Sequence, residues 1–179
     1  MKKQIVGEEP LTKAEWGLWV ALTRRIRFVN GRIPQEPFYA FCGAFISAPI
    51  EAAILNANDP RQLLLTHRRD PYFNGWHLPG KVLIPGKTTE ETLSELIDDE
   101  IGISAQIDII EPLGTIDIMK GDEQNESPRG QERKTLYIGF AHGEITQGSW
   151  FDLYGLPQSI LPQHTSAIAL IRKWAKANT

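Results

Sequence analysis

Cysteine, positive charge and long apolar runs are all scarce in this 179-residue chain, and each scarcity excludes something. Cysteine occurs once, at Cys42, so no internal disulfide can form. The four histidines are scattered, and neither C-x-x-C nor H-E-x-x-H occurs, which argues against a zinc site. The 19 Lys and Arg stand against 22 Asp and Glu, a formal net charge of −3, so no whole-chain basic field exists to attract nucleic acid. The longest apolar stretch, Phe38–Leu55, is broken by Pro49 and Glu51 and reads as a core strand plus turn rather than a membrane span. The N-terminus, MKKQIVGEEP, has two lysines without an apolar signal core behind them, so a cytoplasmic protein with no membrane partner is expected.

What is present suits one domain with a single core. Thr12-Lys-Ala-Glu15 is a capping box that opens a helix to about Val29, with Trp16, Trp19, Val20 and Ile26 near one face. That apolar face predicts a homodimer contact. Phe38–Ser47 reads as a buried strand, with Cys42 as a small core hydrophobe. Gln62–Arg68, Trp76–Leu83, Ala105–Met119 and Thr135–His142 supply further strands. Lys120–Lys134 is a polar loop, long for a connection and so either functional or disordered. Thr88–Ile101 and Thr165–Ala177 are helices. The expected fold is α+β, a three-layer α/β/α sandwich around a mixed sheet, with an extra N-terminal helix. Residues 1–36 form the helical extension and 37–179 the main domain.

The chemistry concentrates in Leu78–Ile103, LPGKVLIPGKTTEETLSELIDDEIGI. Thr88 and Glu91 make a second capping box, directly after Pro85-Gly86, and a loop that delivers backbone N–H groups to a helix start suits phosphate. Gly80…Gly86-Lys87-Thr88 imitates a P-loop, but five residues separate the glycines where that motif needs four. The segment resembles the box of the Nudix hydrolases, G-x5-E-x7-R-E-U-x-E-E-x-G-U with U apolar, usually preceded by Leu-Pro-Gly. Anchored on Gly102-Ile103, the residues Leu78-Pro79-Gly80, Gly86, Ile97, Asp99, Glu100, Gly102 and Ile103 agree in character. Lys81 stands at the leading Gly, Lys87 at the first Glu, and Glu95-Leu96 at the Arg-Glu pair. The resemblance spans roughly residues 37–177.

It implies a hydrolase of a nucleoside diphosphate linked to another moiety, in which clustered carboxylates hold Mg²⁺ or Mn²⁺ and a metal-activated water attacks phosphorus. Glu100 and Asp99 are the implied metal ligands. They are also implied catalytic residues, supplemented by Glu95 and by Glu132 from the polar loop. Gly80, Lys81, Lys87, Arg69 and Trp76 are the implied contacts to a small nucleotide or diphosphate substrate. Lys87 and Leu96 should both weaken metal binding, and they motivate an alternative: a Nudix-fold module that binds a nucleotide or phosphate with hydrolysis weakened or lost. A second register, slipped so that Gly80 leads, gives the carboxylate positions to Glu95, Asp98 and Asp99. At about 100° per residue, Leu93, Leu96, Ile97 and Ile101 share one arc, Glu91, Glu95 and Asp98 lie opposite, and Glu100 falls inside the apolar arc. A carboxylate there is costly unless paired or bound to metal, which favours the first register.

Overall fold

A computed structural model describes residues 12–25, 35–102, 106–119 and 130–178. The chain divides into two units, Met1–Phe38 and Tyr39–Thr179. In the first, α1 (Lys13–Arg25) begins on the expected box: Thr12 N donates to Glu15 Oε2 at 2.7 Å, and Glu15 N to Thr12 Oγ1 at 3.3 Å. Trp16, Leu18 and Leu22 are exposed on it. Ile26, Arg27 and Val29 lie outside the described residues.

The expected strand over Phe38–Ser47 is instead a helix, α2 (Gln35–Ala44). Its buried residues, Tyr39 and Cys42, are three apart, a helical spacing that a short apolar run conceals. The strand starts later. β1 (Pro49–Asn56) opens on its proline, where no ladder N–H is missed, and carries Glu51 inside the sheet. Then follow β2 (Asp59–Arg69), β3 (Asn74–His77), β4 (Gly80–Val82), α3 (Thr89–Glu100), β5 (Gln106–Ile118), β6 (Glu132–His142), β7 (Ser149–Asp152) and α4 (Thr165–Asn178), with a 3-10 turn at Pro162–His164. The polar loop thus ends before Glu132, and residues 120–129 lie outside the described set. No described helix is long and apolar enough to cross a membrane.

Among the described residues the sheet runs β3-β2-β1-β6-β5, with β4 on β1 and β7 on β2. β1 and β6 are parallel and the other pairs antiparallel, so the sheet is mixed. Strand alternation divides β1 between two cores. Ile50, Ala52 and Ile54 pack with Leu93, Leu96 and Ile101 of the α3 layer. Ala53 and Leu55 pack with Leu63, Leu65, Leu136 and Ile138 under Ala167, Ile171 and Ala175 of α4. The result is the three-layer α/β/α sandwich.

Candidate active site

The site is built where β4 passes from the sheet into α3. Thr88 caps α3 through the expected box: Glu91 N donates to Thr88 Oγ1 at 3.2 Å, and Thr88 N to Glu91 Oε2 at 2.8 Å. These bonds occupy two of the amides that a phosphate at this helix start would use. At the other end Gly102 holds φ +115°, and a Cβ there would stand 1.8 Å from Thr146 Oγ1, so glycine is required. Its N–H bonds Ile97 O at 2.9 Å and closes the helix.

Across the β1–β4 pair, Gly80 faces Glu51 and Lys81 faces Ile50. Ile50 looks toward α3, so Lys81 does too. Its Nζ lies 3.0 Å from Glu95 Oε2 and 2.9 Å from Asp99 Oδ2. Glu95 and Asp99 are four apart on one helix face, where like charges repel unless a cation sits between them. Lys87 pairs with Glu95 Oε1. The cation at position 87 and the acid at position 95 are thus a matched pair. Partial burial works against the Lys81 ammonium, but its bonds to Asp99 and Glu95 outweigh that and hold its pKa above the usual lysine value. The bonds from Lys87 and then Lys81 keep Glu95 below the usual carboxylate range.

Glu100 points the other way, into the sheet. Its Oε2 lies 3.3 Å from Gly80 N and 3.4 Å from Thr66 Oγ1. Burial pushes its carboxyl up to about 7, against the opposing pull of Gly80 N–H, Thr66 and the positive charge of Arg68. Thr66 Oγ1 is also 3.1 Å from His77 Nε2, and His77 Nδ1 is 2.7 Å from Leu78 O. Burial, then the charge of His164, lowers His77 to about 4, so it is neutral at pH 7. A neutral ring in this setting donates from Nδ1 to the Leu78 carbonyl, which leaves Nε2 as an acceptor facing Thr66 Oγ1. The Thr66 hydroxyl has one proton to give and stands between His77 Nε2 and Glu100 Oε2; when it donates to Glu100 it favours the ionised carboxylate.

Behind Gly80 lies a second polar group. A Cβ on Gly80 would meet Glu51 Cγ at 3.2 Å and Ile50 O at 3.3 Å. Glu51 Oε1 accepts from Lys134 Nζ at 2.7 Å, Glu132 Oε2 lies 3.7 Å from the same ammonium, and His164 Nδ1 faces Glu51 Oε2 at 3.4 Å. All four side chains are buried, and neither Glu51 Oε2 nor His164 Nδ1 makes a hydrogen bond. Burial opposes the Glu51 charge, but His164 and Lys134 together hold its pKa down to about 2.

The residues singled out by sequence are thus sorted. Lys81, Lys87, Glu95 and Asp99 come together on the outer face of α3, and Gly80 and Glu100 meet beneath it. Arg69 is exposed at the end of β2, and alternation puts it on the face opposite Thr66 and Arg68. Its neighbour Arg68 is the cation near Glu100. Arg68 is itself held by Asp70, by Tyr39 OH at 3.3 Å and by the Phe73 ring at 4.4 Å. Trp76 packs on the α4 side, 4.8 Å from the Phe151 ring, so it serves the core rather than the Glu100 side. Glu132 is buried in the Glu51–Lys134 group. Sequence reading missed Thr66, His77, Glu51, Lys134 and His164. Two signals were available: T-x-R on one face of β2, and an acid within the apolar run of β1.

Carboxylates on the box helix must be free to converge on a cation if they are to hold Mg²⁺. Here Glu95 and Asp99 are taken by Lys81, Leu96 is 1% exposed in the α3 core, and Glu100 turns away toward Gly80 and Thr66. Among the described residues no group of three or more His, Cys, Asp or Glu is placed to hold a metal ion. This donor set does not fit a divalent cation.

No family model and no curated protein matches the chain by sequence. Its shape does have relatives. A candidate asymmetric diadenosine tetraphosphate hydrolase from Jonesia denitrificans is 14% identical with a TM-score of 0.61, the match covering 72% of this chain and 96% of that one. The Ap4A hydrolase of C. elegans is 14% identical with a TM-score of 0.59, covering 75% and 100%. The Nudix domain of Shewanella oneidensis NrtR, solved with ADP-ribose, is 17% identical with a TM-score of 0.54, covering 92% and 99%. The chain therefore has the Nudix fold, in the form shared with MutT-like hydrolases.

Proposed function

We propose that this protein hydrolyses a phosphoanhydride bond in a nucleoside diphosphate linked to another moiety, with Glu100 as the base that activates water. The observation that carries this reading is the setting of Glu100. It is a partly buried carboxylate held by Gly80 N–H, with a pKa near the working pH, as a general base requires. The diadenosine tetraphosphate and ADP-ribose named for the structural neighbours support the substrate class. Glu100 takes a proton from water, the water oxygen bonds to phosphorus, and the anhydride P–O bond breaks, its electron pair leaving with the departing phosphate. Lys81 and Lys87 offset Glu95 and Asp99, so those two acids do not add to the repulsion of an approaching phosphate. Lys and Arg groups near a phosphoryl centre also stabilise charge that develops there.

Leu96 favours a second reading, a nucleotide-binding module. It is sealed in the core where the family places an acid. A panel of nucleoside diphosphate derivatives, assayed for phosphate products with and without Mg²⁺ or Mn²⁺, separates the two. Turnover abolished by Glu100→Gln supports hydrolysis. Tight binding without turnover under every metal condition supports the module and ends the hydrolase reading.

A further inference from the structure

The box helix carries four carboxylates within six residues, Glu95, Asp98, Asp99 and Glu100, and such a cluster would repel phosphate if left bare. A cation has to sit among them before a diphosphate can. Lys81 already provides one. The strand register fixes its direction, because pairing with Ile50 turns it toward α3. Two carboxylate oxygens hold its ammonium, at 3.0 and 2.9 Å, and Lys87 takes the second oxygen of Glu95. Lys81, Lys87, Glu95 and Asp99 together sum to zero charge. The remaining acids do not make up an alternative site: Asp98 is exposed, and Glu100 is bonded away from the others. A divalent ion at this place would have to expel an ammonium from two carboxylates at once.

We propose that Lys81 is a built-in counter-ion, its ammonium standing between Glu95 and Asp99 in place of a divalent cation, so that the box receives phosphate groups without metal. This rests on the Nudix-type reading of the site but does not require that hydrolysis occurs. The arrangement exchanges two properties. A tethered ammonium needs no metal supply and cannot be removed by chelators. It also brings one positive charge where Mg²⁺ brings two, so it neutralises the acids without adding attraction for the ligand.

Manganese titration followed by electron paramagnetic resonance tests the point without a substrate. The wild-type protein should leave the free Mn²⁺ signal largely intact, and Lys81→Ala should bind Mn²⁺ on the order of tenfold more tightly or better, because the repelling ammonium is gone. Lys81→Met keeps the alkyl stem and should behave like the alanine variant, which covers the case in which Lys81→Ala does not fold. Lys81→Arg keeps the charge and should match wild type. Wild-type binding of Mn²⁺ as tight as that of the uncharged variants overturns the inference. Calorimetry with inorganic pyrophosphate supplies the second arm. Wild-type affinity should be the same in chelator and in Mg²⁺, whereas Lys81→Ala should bind only with Mg²⁺ present. Pyrophosphate binding or turnover by wild type that demands Mg²⁺ overturns the inference and leaves the hydrolase reading standing. Failure of wild type to bind pyrophosphate in chelator overturns the inference, and failure under every condition counts against the hydrolase reading as well.

Discussion

Glu100 is asked to do two things that conflict. As a base it must ionise, and its setting favours the neutral form. The rate should therefore rise with pH and level off above about 7, since only the ionised carboxylate accepts a proton. Glu100→Gln should lower kcat by roughly 10²–10⁴ and remove that rise. The same residue costs stability. Its folded pKa lies above the unfolded value of 4.5, so the folded state binds the extra proton between pH 4.5 and about 7. Stability is then lost as pH rises through that window, by about 3 kcal/mol in all. Glu100→Gln should accordingly be more stable than wild type at pH 8 and not at pH 4 in urea titrations. A variant equally stable at both pH values would show that burial does not strain this carboxylate. The Lys87–Glu95 pair gives a second test. Lys87→Glu or Glu95→Lys alone places like charges in contact, and each should lower Tm. The double exchange restores opposite charges at 87 and 95 but sets a second ammonium beside Lys81, so it should recover only part of the loss. Additive losses would mean that the two side chains do not interact.

Elements explain what sequence could and could not show. α3 was readable because its signals are local: the Thr88–Glu91 box, Gly102 beyond the last turn, and an apolar arc that put Leu96 inside and marked Glu100 as anomalous. α2 was not, because ten apolar-rich residues fit a strand or a helix equally well. β1 was misread for a related reason, since Pro49 and Glu51 read as interruptions until the partners of Glu51 are seen. Lys134, on β6, is 83 positions away in sequence, and no local pattern links it to Glu51. The same distance hides the link between Thr66 and Glu100, 34 positions apart. That link lies at the heart of the site. The buried group joins β1, β6 and the 3-10 turn, and it carries its own prediction. Lys134→Met fills the space but leaves two buried carboxylates without their ammonium. It should destabilise by roughly 3–5 kcal/mol, while Lys134→Met with Glu51→Gln should recover part of that. A loss below 1 kcal/mol in the single variant would show that water reaches the cluster.

At the scale of the whole molecule these groups compete for the same protons, and the competition gives stability an unusual dependence on pH. His77 is neutral in the fold, with a pKa near 4 against 6.5 when unfolded. Its contribution is present above pH 6.5 and is lost as pH falls toward 4. Glu51 has a folded pKa near 2 against 4.5, so its contribution survives to pH 4.5 and is lost below it. Glu100 works in the opposite sense and gains stability as pH falls from about 7 to 4.5. Each term has a size of about 3 kcal/mol at full strength. Between pH 7 and 4.5 the losses from His77 and the gains from Glu100 nearly cancel, so the urea midpoint should stay flat. Below pH 4.5 only losses remain, and the midpoint should fall steeply. Glu100→Gln removes the gain, so its midpoint should begin to fall near pH 6.5. The curves of wild type and variant should therefore separate at high pH and converge on acidification. Parallel curves would mean that Glu100 does not titrate with the fold, and the account of the box as a buried, proton-holding site would fail with it.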